Sequence, residues 1–337
     1  MIRMSRRFAI SRLASPRLFC CAALIALSLS AIQASAQQTV PPAPAADLNA
    51  PAPAAAPAFP PIDPANFTAT VPSKETVEAF LHTSWGYDQN RMWQVAAILK
   101  TRIDGISKVI VYVGDKSGKE KPSAIQFFAL PDGKHIIAAD DIIPFGANPY
   151  AENRAITTQK ADGPSRGAST KDFEIVEFAD FQCPHCKEAQ ANMEKLGTDF
   201  PNARIVFQNY PLPQHKQAAG AAAYGVCVAK LGGSTAFFTF ASAVFEGQDG
   251  LASPDGATLT LNSSVTKAGL DPAKVAACAA LPATVASVDA SVQLAKDLNV
   301  NLTPTLIVNG RPVPANAPYE TVKQIVEFQE KLDGLTK

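Results

Sequence analysis

The segment Phe173-Glu174-Ile175-Val176-Glu177-Phe178-Ala179 has the composition of a buried strand, and it runs through Asp180-Phe181-Gln182 into Cys183-Pro184-His185-Cys186. Residues Glu188 to Leu196 have helical composition, so the cysteine pair opens a helix at a strand end. That placement is restrictive. Cysteines at i and i+3 on a first helical turn put one sulfur where free backbone N–H groups and the helix dipole stabilise a thiolate. Cys183 is the expected nucleophile, and Cys186, one turn further in, is placed to attack a mixed disulfide and release the substrate. Pro184 adds a rigid turn, and His185 offers an imidazolium close to Cys183 that would lower its pKa and stabilise the reduced form, making the disulfide oxidising. The bland alternatives are a static disulfide or half a zinc site, yet zinc normally needs four ligands and no second close Cys/His pair stands in the chain.

The rest of the scaffold follows from the same kind of pattern. Arg204 to Asn209 supplies a second strand, Thr305 to Val308 with the turn Asn309-Gly310-Arg311 a third, and Glu320 to Leu332 a closing helix. Between the second and third strands, residues 214–299 hold helical stretches, notably Ala218 to Leu231, Ala236 to Phe245 and Val285 to Leu298, which read as a helical insertion in a βαβ scaffold. Upstream, residues 67–147 read as a small α+β module. Ser73 caps a helix with Val77, Phe80 and Leu81 on one face, and strand-like runs follow at Trp93 to Leu99, Lys108 to Val113, Ala124 to Leu130 and His135 to Ala139, with a hairpin turn at Pro131-Asp132-Gly133-Lys134. Residues 148–169 are expected to connect the two parts: Asn148-Pro149 as N-cap and first-turn proline of a helix ending near Lys160, then a flexible stretch from Asp162 to Ser169. The catalytic domain is placed at 170–337.

The N-terminus reads as an export signal over residues 1–36, with arginines up to Arg17, an apolar run from Cys20 to Ile32 and a small-x-small site predicting cleavage after Ala36. The apolar run is short for a membrane anchor. Ser5-Arg6-Arg7 invites a twin-arginine reading, but Ala9 stands where that signal usually has Phe, which favours the general secretory route. Residues 37–66 are dominated by alanine and proline and read as a disordered spacer. Without the signal, the chain has 25 basic and 30 acidic groups and no basic block, which argues against nucleic acid or an anionic membrane surface as a partner. Four cysteines remain, Cys183, Cys186, Cys227 and Cys278, in a chain bound for a compartment where disulfides persist. No glycine-rich phosphate loop, haem motif or metal motif competes, and the four histidines are widely spaced, so no cofactor or metal is expected.

The segment Glu177 to Cys186 resembles the active-site segment of DsbA-like proteins of the thioredoxin superfamily, over about half of the chain. The resemblance implies an α/β, thioredoxin-like fold with a helical insertion, here preceded by a small α+β domain. Leu302-Thr303-Pro304-Thr305-Leu306-Ile307-Val308-Asn309-Gly310 is similar to the family's cis-proline loop. By that likeness Pro304 takes the cis-proline role, and Thr303 lies beside the sulfurs and offers backbone polar groups to an extended substrate; the rival reading is a plain strand entry. Glu177 matches the family's buried glutamate, which relays protons from the resolving thiol, whereas composition alone makes it a solvent-facing strand residue. Cys227 and Cys278 resemble paired positions in the insertion of relatives, which implies a structural disulfide contributing on the order of 4 kcal/mol; two buried free thiols are the alternative. His215 follows Pro211-Leu212-Pro213, as a histidine does in many relatives, and is assigned no catalytic role.

The function so implied is that of an exported thiol:disulfide oxidoreductase, periplasmic, which forms disulfides in reduced or misfolded exported proteins and is re-oxidised by a membrane redox partner. The extra N-terminal module is reminiscent of dimeric disulfide isomerases, which keeps open a homodimeric isomerase or reductase. From a different class comes a peptide-binding chaperone with a structural cysteine pair.

Overall fold

The computed structural model describes residues 59–118 and 121–335. The export-signal reading of residues 1–36, and the spacer reading as far as residue 58, lie outside the described residues. The end of the stretch read as spacer is packed: Phe59 stacks on Tyr112 with ring centroids 6.3 Å apart, and Pro64–Asn66 forms a short 3-10 turn capped by Asp63. The aromatic ring supplies apolar area that the surrounding alanines and prolines lack.

Helix α1 (Lys74–Trp85) starts at Ser73, whose side chain accepts from the Thr76 N–H. Its Val77, Phe80 and Leu81 pack on Val95, Ile98, Val109, Val111, Phe127 and Ile136 of an antiparallel meander. The meander runs β1 (Arg91–Lys100), β2 (Ser107–Asp115), β3 (Ser123–Ala129), β4 (His135–Ala138) and β5 (Asp141–Pro144), each paired with the next. At the β3–β4 turn, Gly133 takes φ 67° and Asp132 accepts from the N–H groups of Lys134 and His135. β5 lies beyond the four runs legible in the sequence, because only Ile142 and Ile143 mark it.

Helix α2 (Ala151–Lys160) ends where expected but begins later, with Tyr150 at the N-cap and no side-chain cap bond. Asn148 and Pro149 form the preceding turn, closed by the Ala151 N–H on the Asn148 carbonyl, while Tyr150 is held against the Arg311 guanidinium, 4.5 Å from the ring centroid. The stretch expected to be flexible carries a strand, β6 (Ser165–Gly167). It reaches its neighbour because Gly163 lets the chain pass Phe207: a Cβ there would lie 1.9 Å from the Phe207 carbonyl oxygen.

The second sheet adds β7 (Glu174–Ala179), β8 (Arg204–Asn209), β9 (Thr305–Val308) and β10 (Arg311–Pro314), in the order β10-β9-β7-β8-β6. β7 is central, parallel to β8 and antiparallel to β9, and all six of its residues are buried. The outer strands are short; β10 has four residues, two of them Pro312 and Pro314. Helix α3 (Pro184–Asp199) makes the βαβ crossover and, with α8 (Tyr319–Leu332), covers one face through Met193, Leu196, Val322 and Val326. Leu294 and Ala295 of α7 (Pro282–Asp297), with Leu298 at its C-cap, cover the other against Val176, Phe178, Val206 and Ile307. The insertion consists of α4 (Ala218–Glu246), α5 (Pro254–Lys267), α6 (Pro272–Ala279) and α7. The two stretches read as separate helices join in α4, bent where Gly233 takes φ 75°, and a Cys227–Cys278 disulfide ties α4 to α6.

A buried arginine of the second sheet reaches across to the helix packed on the first, beside the contact of the His82 and Phe328 rings, whose centroids are 5.6 Å apart. Arg311, 3% exposed, donates from Nη2 to the Thr83 carbonyl, from Nη1 to the Ser84 carbonyl at 3.2 Å and from Nε to Gln329 Oε1 at 3.0 Å. Thr83 and Ser84 belong to the last turn of α1, whose carbonyls have no partner within the helix. An arginine of the second sheet therefore caps a helix packed on the first.

Candidate active site

The turn from β7 to α3 brings both cysteines to the helix start. Cys183 is the N-cap and Pro184 the first helical residue, a position where the missing proline N–H costs nothing. Both thiols are free; Cys183 is 4% exposed and Cys186 fully buried. The Cys183 thiol points at the Thr303 carbonyl at 3.6 Å, and the Asp180 N–H donates to Cys186 Sγ at 3.4 Å. Cys183 is lowered to about 5, first by its hydrogen bond with the Cys186 thiol, then by Thr303 and the backbone N–H groups of Cys186 and His185, against burial, which raises it. Cys186 is pushed up, chiefly by burial and next by its hydrogen bond with Cys183. Adjacent sulfurs are thus driven apart.

The imidazole of His185 does not take the place expected for it. Its Nδ1 lies 3.0 Å from Glu188 Oε2 on the exposed side of α3, and that glutamate raises its pKa. Toward Cys183, His185 contributes its backbone N–H, which lowers the thiol, while the charge of Cys183 adds a smaller upward push on the imidazole than Glu188 does. The i,i+3 spacing that favours a helical ion pair accounts for the difference.

Glu177 is buried, because the central strand is covered on both faces. Gln190 of α3 donates to Glu177 Oε1 at 3.0 Å and to the Cys186 carbonyl at 3.1 Å, linking the carboxyl group to the cysteine turn. Burial raises Glu177 to about 7, while Gln190 and Arg166 oppose the rise. Between the ordinary carboxyl value of 4.5 and about 7, the folded chain holds a proton that the unfolded chain releases, so this contribution to stability is full below 4.5 and is lost as pH rises through 7. Glu177→Gln is expected to remove that loss and to stabilise the chain at pH 8 by roughly 3 kcal/mol, read by denaturant unfolding at pH 5 and pH 8.

Thr303–Pro304 is a cis peptide, preceding β9 and facing the cysteines through the Thr303 carbonyl. The Thr303 side chain is buried beside both sulfurs, where it lowers them, and Leu302 beside it is 55% exposed. The structure thus brings Cys183, Cys186, Thr303 and Pro304 together, keeps Glu177 behind them through Gln190, turns the His185 ring outward and places the Cys227–Cys278 disulfide in the insertion.

Four further side chains hold the cysteine turn, and sequence reasoning did not find them. Asp180 accepts from the Gln182 N–H at 2.7 Å, from the Leu212 N–H at 2.8 Å and from His215 Nδ1 at 2.7 Å. Gln182 accepts from the Gln217 N–H and donates to the Leu251 carbonyl, and Gln248 donates to the carbonyls of Phe181 and Cys183 at 2.8 and 2.9 Å. Phe181 sits among Phe207, Phe240 and Phe245, with centroids 5.2–5.7 Å away. The insertion therefore grips the turn by polar and aromatic contacts alike. Among the described residues, no group of three His, Cys, Asp or Glu is arranged to hold a metal ion.

A strand that delivers a Cys-x-x-Cys pair to a helix start, opposite a Thr–cis-Pro loop, defines a thiol–disulfide exchange protein. The family model described as thioredoxin matches residues 159–328, just over half of the chain, and the chain belongs to that family. Among solved structures it is similar to a thioredoxin-like oxidoreductase from Silicibacter pomeroyi DSS-3 (25% identity over 53% of this chain and 98% of that one, TM-score 0.45). It is also similar to oxidised BdbD from Bacillus subtilis (23%, 50% and 93%, TM-score 0.44) and to the catalytic domain of Proteus mirabilis ScsC (18%, 52% and 97%, TM-score 0.43). One curated protein, the Na(+)/H(+) antiporter NhaA 1 of Salinispora arenicola, matches 47 residues at 40% identity; this is 14% of the chain, which spans 7% of that relative's length.

Proposed function

We propose that this chain is exported from the cytoplasm and donates its Cys183–Cys186 disulfide to reduced exported proteins. The observation that carries the reading is the pairing of a Cys183 lowered to about 5 with a buried Cys186 that is pushed up. In the reduced state Cys183 is a low-energy thiolate, and a stabilised reduced form makes the disulfide a strong oxidant.

A client thiolate attacks Cys183 Sγ, the Cys183–Cys186 bond breaks, and Cys186 leaves with the electron pair and takes up a proton. Glu177, linked to the Cys186 backbone through Gln190, supplies that proton. A second client thiolate then attacks the client sulfur of the mixed disulfide and expels Cys183 as a thiolate. The client loses two electrons and the cysteine pair gains them; a membrane redox partner restores the disulfide. Thr303 and Pro304 present backbone polar groups to an extended client segment, and the arginine-led apolar segment at residues 1–36 supports export to the periplasm.

The deciding measurement is the reduction potential of the Cys183/Cys186 pair in glutathione buffers, with Cys227 and Cys278 replaced by alanine as a control. A value near roughly −120 mV is expected for a disulfide donor. A value near roughly −270 mV would make the chain a reductase, and inertness toward glutathione would leave the peptide-binding chaperone.

A further inference from the structure

Asp180, outside the cysteine motif, bears directly on the resolving sulfur, and His215 bears on it through Asp180. The Asp180 carboxylate is fully enclosed, His215 is one-fifth exposed, and the pair is 2.7 Å apart although 35 residues separate them in the chain. Both carboxylate oxygens are committed: Oδ1 to the Gln182 N–H and Oδ2 to the Leu212 N–H and His215 Nδ1–H. Its own main-chain N–H is the group that donates to Cys186 Sγ. Water does not reach that sulfur, which is 0% exposed, so charge appearing on it depends on donors the protein supplies. Of the three donors that hold Asp180, two belong to the backbone, and His215 supplies the side-chain one, which a substitution can remove without altering the backbone.

We infer that His215 is a positioning residue for the resolving thiol: by fixing the Asp180 carboxylate, it keeps the Asp180 N–H directed at Cys186 Sγ and so stabilises that sulfur whenever the Cys183–Cys186 bond opens or closes. This rests on the thiol–disulfide exchange reading and adds to it a residue that touches neither client nor sulfur. Without His215, a buried carboxylate is short of one donor, and the turn carrying the N–H shifts to recover it.

Glutathione separates the steps. In the first, its thiolate attacks Cys183 Sγ of the oxidised protein, the Cys183–Cys186 bond breaks, and Cys186 leaves with the electron pair and is protonated. In the second, another glutathione thiolate attacks the glutathione sulfur and expels Cys183. Cys186 takes part only in the first. His215→Leu is expected to slow the first step roughly tenfold. His215→Asn, whose amide N–H replaces Nδ1–H, is expected to stay within about threefold of the parent. The second step, followed alone on Cys186→Ser protein loaded with glutathione at Cys183, is expected to be unchanged by His215→Leu. A first step indifferent to His215→Leu overturns the inference, as does equal slowing of both steps, or failure of Asn to restore the rate in a variant that melts like the parent. A parent protein inert to glutathione overturns the exchange reading as well, whereas exchange that ignores His215 overturns this inference alone.

Discussion

Alkylation of Cys183 by iodoacetamide is expected to titrate with a midpoint near pH 5 and to be flat above pH 7, and Cys183→Ser is expected to retain less than about one thousandth of the parent's exchange rate. Cys186→Ser should keep the alkylation and accumulate a stable mixed disulfide, visible by mass. The magnitudes also say where the lowered pKa acts. At pH 7 a thiol at about 5 is almost wholly thiolate, against about one per cent for a thiol near 9, a gain of roughly a hundredfold in reactive species. Intrinsic nucleophilicity falls with pKa, with a Brønsted slope of about 0.4–0.5, and over four units this takes back most of the gain. As an attacking group Cys183 therefore profits little. As a leaving group it profits fully, because a low-pKa thiol departs faster, and departure of Cys183 is the step that completes a donated disulfide. A midpoint near 9 would remove this basis for an oxidising pair.

Arg311→Leu is expected to cost about 5 kcal/mol and to lower the melting temperature by roughly 10–20 °C. The substitution strands the Thr83 and Ser84 carbonyls at the end of α1 and Gln329 Oε1, each unsatisfied acceptor costing about 1–3 kcal/mol. It also removes the guanidinium that lies 4.5 Å from the Tyr150 ring centroid and 5.8 Å from that of Phe328. Arg311→Lys should recover little, because an ammonium cannot span the two carbonyls and Gln329 with fixed fork geometry. Melting followed by near-UV circular dichroism is the test, and a loss under 1 kcal/mol would mean that α1 finds another cap.

What the sequence revealed and what it hid divide along the range of the interactions involved. The buried strand into Cys183, the Ser73 cap, the Pro131–Lys134 hairpin and the insertion all announce themselves through neighbours a few residues apart. β5 and β6 were too short to leave a period, α5, although marked by Ser253-Pro254, is dominated by Thr and Ser, and α6, although marked by Asp271-Pro272, was submerged in alanine-rich composition. Arg311 read as part of a turn, because its partners lie 18 residues away on α8 and more than 200 away on α1. The Asp180–His215 pair was hidden in the same manner, and so was Gln248, 65 residues from the carbonyl it holds. For the His185 ring the motif drew attention to Cys183, whereas the local i,i+3 pair with Glu188 is the stronger influence and Cys183 the weaker.

The borders of the second sheet bear on how such a chain survives its own work. Under the proposed function its clients arrive unfolded, with strands seeking any exposed backbone to pair with. An exposed sheet margin would recruit them and seed aggregation. Here one margin is β6, three residues long, and the other is β10, where Pro312 and Pro314 leave half of its residues without an N–H to offer. The catalytic sheet is thus a poor template, and a client is bound at the cysteines without being drawn into the fold.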